Sequence, residues 1–213
     1  MSRGLGDVYK RQIYITLTQI DLEALISLLR DVNFTYIIIS TVLYFFSQLI
    51  SSERLRLILN SNQYEISFIN NFILYLLGIF YNFFIPGGFG GDAYKFYLMN
   101  KNYNWDLKKL FKLLVFDRLI GLGALVCILL FIIQNFIFKL SLIVTIISMI
   151  VALILGFVIV KYIFKNQHIY LESLGLSVVN QFLQFLAILC IILSLGIDDN
   201  FIEIIVVFIC SSI

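Results

Sequence analysis

Long uncharged apolar runs, separated by short clusters of charge, set the rhythm of this chain. Residues 32–52 carry no charged side chain across 21 positions. That is long enough for a helix to cross a hydrocarbon core of about 30 Å. Glu53, Arg54 and Arg56 close the run. Residues 66–91 form a second uncharged run, 140–160 a third and 173–197 a fourth. The run 113–133 has the same length and apolar character but carries Asp117 and Arg118 near its start. Before these, 13–18 is too short to span. In 21–31, Leu22, Leu25, Ile26 and Leu29 recur at helical spacing, with Asp21, Glu23 and Arg30 elsewhere on the wheel. That pattern predicts a short amphipathic helix lying at an interface. The fold class expected is all-α: a polytopic transmembrane bundle with about five or six spans or half-spans.

The run 66–91 is broken near its end. Residues 80–92 read FYNFFIPGGFGGD and hold the chain's one proline and four of its twelve glycines. A helix does not continue through Pro86, Gly87, Gly88, Phe89, Gly90 and Gly91, because proline lacks the donor N–H and paired glycines loosen the backbone. Broken backbone at membrane depth is tolerated only inside protein or along a wet cavity. The break is therefore the first candidate for a working site.

Loop charge assigns sidedness. The stretches 51–65, 92–112 and 161–172 together hold nine lysines and arginines, against Arg30 and Lys139 in the opposite loops. The basic side is expected to be cytoplasmic. Both stretches flanking 66–91 then lie on one side, so that run is expected to enter and return, with the break at its tip or return limb. A simple crossing is the other reading, and it would put five lysines outside. The polar stretch 92–112 interleaves Lys95, Lys101, Lys108, Lys109 and Lys112 with Tyr94, Tyr97, Tyr103 and Trp105, a mixture suited to the headgroup layer.

Composition agrees with this picture and narrows it. The chain of 213 residues is 61% hydrophobic and 13% charged, whereas an ordinary soluble domain is about a quarter charged. A formal charge of +2 gives no reason to expect nucleic acid as a partner. Cys127, Cys190 and Cys210 show no metal spacing and His168, read as a solvated loop residue, is the sole histidine, so no metal or cofactor is expected. No Ser/His/Asp or Cys/His set, nucleotide-binding loop or soluble catalytic domain can be read, so no catalytic residue is assigned and no covalent chemistry is expected. Residues 1–12 (MSRGLGDVYKRQ) are polar and unlike the rest. They resemble translated adaptor sequence and are set apart as a non-native segment. The chain stops inside a fresh apolar run at 201–213, so both ends read as truncated.

Four constellations carry possible chemistry. Gly-rich backbone at 86–92, followed by Lys95, can converge N–H groups on an anion such as a phosphate; a tight turn permitting helix approach is the plainer alternative. Asn71, Tyr75, Gly78 and Asn82 fall at steps of four, three and four, so they share one helix face, facing protein or a polar path and not lipid. Asp117 and Arg118 cost about 2.5–3.5 kcal/mol each at mid-membrane. Being adjacent, they diverge by about 100° and each needs another partner, such as Asp92 or Lys95, or for Arg118 an anionic head group. The alternative is snorkelling from Lys112. Ser173, Ser177, Asn180, Gln181 and Gln184 form a second polar stripe, better explained by interhelical hydrogen bonds than by a ligand.

Asn82 through Asp92 (NFFIPGGFGGD), then Lys95, then Asp117 through Leu122 (DRLIGL) resemble the transmembrane region of bacterial lysylphosphatidylglycerol synthases, a region also found in stand-alone flippase-like membrane proteins. Arg54 and Arg56 fit the same pattern, although Arg54-Leu55 replaces a common Arg-Trp pair and Lys95 stands where arginine is usual. The likeness runs from 13 to 213. It implies a multi-pass protein of the bacterial inner membrane that moves a lipid between leaflets, residues 13–213 being a truncated flippase-like domain. Aminoacyl transfer belongs to a separate soluble domain that these residues lack. With that role, the head-group path is expected at Asn82, Pro86, Gly87, Gly88, Gly90, Gly91, Asp92, Lys95, Asp117 and Arg118, and the stripes read from helical spacing supply Asn71, Tyr75, Asn180 and Gln184 as a secondary polar set. Membrane lipids are the expected partners, with a lipid-modifying synthase or transferase as a further one; the alternative function is an accessory module of such an enzyme. Oligomeric state is not legible.

Overall fold

The computed structural model describes residues 32–84, 90–132, 134, 141–164, 167–197 and 204–208. The adaptor-like segment 1–12, the amphipathic segment 21–31 and Pro86, Gly87 and Gly88 lie outside these. Among the described residues there are helices and connecting turns but no strand. The helices are α1 (Phe34–Asn60), α2 (Phe68–Phe84), α3 (Gly90–Tyr103), α4 (Leu107–Ile132), α5 (Leu142–Ile159) and α6 (Gln167–Ser194). A π-helical turn, Val160–Phe164, extends α5. Among the described residues, four stretches are long and apolar enough to cross a membrane: Phe34–Asn60, Leu107–Ile132, Leu142–Tyr162 and Ile169–Ser194. The all-α, polytopic expectation is met.

Short polar side chains at the helix ends set the boundaries. The Asn33 side chain accepts from Thr35 N–H to open α1, Ser67 Oγ accepts from Asn70 N–H at the start of α2, and Asp106 Oδ2 accepts from Lys109 N–H to cap α4. Left-handed residues stop the chain after three helices: Gln63 (φ 69°) beyond α1, Asn104 (φ 52°) beyond α3 and Gly196 (φ 63°) beyond α6. These caps correct three sequence-level boundaries. The charges at 53–56 do not end α1, which continues to Asn60. Helix α4 begins six residues before the apolar run, at Leu107. Helix α6 likewise begins at Gln167, so His168 lies in its first turn and not in a loop. Lysines and tyrosines are compatible with helix, so polarity alone misplaced these starts.

Helices α2 and α3 form an antiparallel hairpin. The pairing order reverses along it: Asn70 with Tyr103 (3.4 Å), Lys95 over Tyr75 (4.6 Å), and Asn82 with Gly91 N–H (2.7 Å). At 14 residues α3 rises about 21 Å, short of a crossing. Its open end is tied to the start of α4. Trp105 lies between Tyr64 and Tyr103, each ring centroid 4.6 Å away, and Lys109 Nζ donates to Asn62 O at 2.6 Å. The connections 61–67 and 104–106 thus meet at one end of the bundle, as the enter-and-return reading requires. Helix α6 runs antiparallel to α1: Ser40 Oγ donates to Ala187 O (2.9 Å) and Asn33 N–H to Ser194 O (3.0 Å). The seam is lined with small residues, Ser40, Ser47 and Ser51 on α1 and Ser173 and Ser177 on α6, all buried. Small side chains let backbones approach closely where lipid gives no hydrophobic drive to pair helices. Helix α5 lies on the periphery, with Thr145 as its buried residue.

A candidate polar site inside the bundle

Arg54 lies in the penultimate turns of α1 and is 6% exposed. It continues the inward serine face, following Ser40, Ser47 and Ser51 at steps of seven, four and three. Its guanidinium grips Asp117 of α4 with two parallel bonds, Nε to Oδ1 at 2.7 Å and Nη2 to Oδ2 at 3.0 Å. Nη1 donates to Ser177 Oγ of α6 at 2.8 Å. One side chain therefore joins α1, α4 and α6 through the fork geometry that suits arginine and carboxylate. Gly121 makes room for it: a Cβ there would sit 3.1 Å from Nη1.

The neighbouring residue on α4 faces elsewhere. Arg118 pairs through Nε with Asp92 Oδ2, in the first turn of α3. Asp92 Oδ1 also takes Lys95 Nζ at 2.7 Å. Asp117 and Arg118 thus have separate partners, as their divergence requires. Arg118 finds Asp92, one of the partners expected; Asp117 finds Arg54, which the sequence reading had not placed in the site. Snorkelling fails for Asp117, which is buried about 15 Å along α4 from Leu107. It fails for Lys95 as well. That residue was expected in the headgroup layer, yet it is 8% exposed and lies across the Tyr75 ring.

The polar face of α2 receives this hairpin limb. Asn71 donates from Nδ2 to Ser52 O (2.6 Å) and Ser52 Oγ (2.9 Å), joining α2 to α1. The Lys95 stem passes over Gly78, where a Cβ would be 2.9 Å from its Cε. Gly91 is fixed more tightly still: a Cβ there would be 1.9 Å from Gly78 O. The Gly91 N–H is used by Asn82 Oδ1, and Gly90 and Gly91 are the first residues of α3. Among the described residues, then, the expectation that these glycine amides cradle an anion is corrected for Gly91. That glycine serves close approach of two backbones. Asn180 and Gln184 are not brought to this site. They lie further along α6; Asn180 is buried with an amide oxygen that makes no hydrogen bond, and Gln184 lines a cleft between α1 and α6.

These groups enclose a cavity of about 180 Å³ lined by Arg54, Tyr75, Asn82, Asp92, Lys95 and Arg118, among others. With Asp117, its lining includes three cations and two carboxylates, leaving one positive charge in excess. Arg118 is the outward member, its side chain 41% exposed against 7% for Arg54. It lies about 16 Å along α4, near the middle of an element long enough to cross a membrane. Among the described residues, no group of three or more His, Cys, Asp or Glu is placed to hold a metal ion.

A family model described as the lysylphosphatidylglycerol synthase TM region matches residues 12–175. The match takes in the α2–α3 hairpin and both charged pairs, and ends within α6, short of Ser177. No curated protein and no solved structure matches the chain.

Proposed function

This chain belongs to the lysylphosphatidylglycerol synthase transmembrane-region family, and we propose that it moves a phospholipid or lipid-linked amphiphile between leaflets without covalent chemistry. The observation that carries the reading is the Arg118–Asp92–Lys95 network, an outward arginine on the wall of a polar cavity within an apolar bundle. A charge held at membrane depth is expensive to keep and marks a substrate path by default. An anionic phosphate can take over the place of the Asp92 carboxylate on Arg118, using a bond of the same charge-assisted kind. The excess positive charge suits such a head group. The Arg54–Asp117 pair, deeper and closed on itself, holds α1, α4 and α6 as the frame in which exchange occurs. The same proposal puts the protein in the membrane of a bacterial cell.

A second reading follows from the family description itself: a membrane-embedded module serving a lipid-modifying transferase. The two are separated by reconstituting the protein in vesicles and following leaflet exchange of a fluorescent phosphatidylglycerol. The translocator reading expects exchange above protein-free vesicles, lost in Arg118→Ala. Exchange at the protein-free rate, or exchange unchanged by the substitution, would overturn it.

A further inference from the structure

A second cavity is walled by the same helix, α4, as the polar one, and its chemistry is the opposite. It has a volume of about 360 Å³, at the lower end of ordinary ligand pockets. It opens between α4 and α5, where Leu119, Leu122, Gly123 and Val126 face Leu153 and Gly156. Tyr170 of α6 forms its inner wall, donating its hydroxyl to Leu153 O at 3.2 Å. Gly156 is needed for that closure, since a Cβ there would lie 2.6 Å from the Tyr170 oxygen. Gly123 is different: a Cβ added there meets nothing within 4 Å.

The two cavities share one helix. Leu119 follows Arg118 directly, and Leu122 stands one turn from it on nearly the same face. A cationic, polar chamber and an apolar cleft, walled by consecutive residues of α4, match the two ends of one amphiphile. We propose that the α4–α5 cleft seats one acyl chain of the membrane phospholipid whose head group Arg118 receives. The inference rests on the head-group reading above and adds where the tail goes. The cleft leaves the chain in apolar surroundings while the head group crosses the polar chamber, so neither end has to be buried in the wrong medium.

The test uses the full chain in phosphatidylcholine vesicles with a phosphatidylglycerol bearing a diazirine midway along one acyl chain. Photolabelled peptides are mapped by mass spectrometry. Label is expected to concentrate at Leu119, Leu122, Val126, Leu153 and Gly156, which line the cleft, relative to the outward-facing Ile147 and Ile154 of α5. In Gly123→Phe the enrichment is expected to vanish. That ring enters open space and replaces a helix-interior glycine, so the variant should fold. Equal labelling of both faces of α5, or enrichment that survives Gly123→Phe, overturns the proposal. An unlabelled cleft with a disulfide between two Gly123→Cys copies assigns the cleft to a second copy and also overturns it. Arg118→Ala separates the two claims. Loss of cleft labelling supports the coupling of head and tail. Persistent cleft labelling supports an occupied cleft and overturns its coupling to Arg118. Exchange that needs Arg118, with no cleft enrichment in the unaltered protein, overturns this inference while the head-group reading stands.

Discussion

Arg54 and Asp117 form a buried pair whose partners cannot be removed singly without cost. Deleting one leaves an uncompensated charge inside the bundle, about 3–5 kcal/mol by the behaviour of such pairs elsewhere. Asp117→Asn should therefore lower the thermal midpoint in detergent sharply. The double variant Arg54→Met/Asp117→Leu should recover most of that loss, because well-packed apolar residues often replace a buried pair at little cost. A double variant as unstable as the single one would show that the pair holds the helices by more than charge balance. At this scale the sequence was half legible. The adjacency of Asp117 and Arg118 dictated two separate partners, because successive helical side chains point about 100° apart. Arg54 was hidden because charges after an apolar run ordinarily mark the end of a span. The signal that could have found it was the serine spacing at 40, 47 and 51, which Arg54 continues.

Among the elements, the α2–α3 hairpin depends on two glycines of unequal weight. At Gly91 an added methyl would be driven into backbone, 1.9 Å from Gly78 O. At Gly78 it would meet only the flexible Lys95 stem, at 2.9 Å. Gly91→Ala should thus open the hairpin and yield little monodisperse protein on size exclusion in detergent, whereas Gly78→Ala should purify normally with a modest fall in midpoint. Equal behaviour of the two would contradict the close packing described for α3. Loop charge and the Pro-Gly break favoured an enter-and-return run over a simple crossing, but placed the return within 66–91, whereas the return limb is Gly90–Tyr103. That limb was not legible as a helix, because lysine and tyrosine at 94–103 read equally well as an interfacial loop and as a helix. Setting aside the inward Arg54 and Lys95, the nine basic residues become seven, still far above two, so the sidedness argument survives the correction.

For the whole molecule, one end gathers the close of α1, the open end of the hairpin and the start of α4. Single cysteines at Glu65 and Asn102, both exposed, in a background without Cys127, Cys190 and Cys210, should react with an impermeant maleimide from the same side of sealed vesicles. Reaction from opposite sides would rule out the enter-and-return hairpin. That both mouths of the hairpin share an end followed from loop charge. The seam that binds α1 to α6 did not, since serine runs in apolar helices announce close packing without naming the partner.

The aromatic stack at that shared end has a practical consequence. Trp105 is the chain's one tryptophan, and it is held between a ring from the α1–α2 connection and a ring from the close of α3. Its emission is therefore a built-in optical gauge of whether the hairpin is seated. Releasing the hairpin should red-shift that emission and weaken energy transfer from Tyr64 and Tyr103, while the far-ultraviolet helix signal stays constant. The protein can report the seating of its own hairpin without a dye.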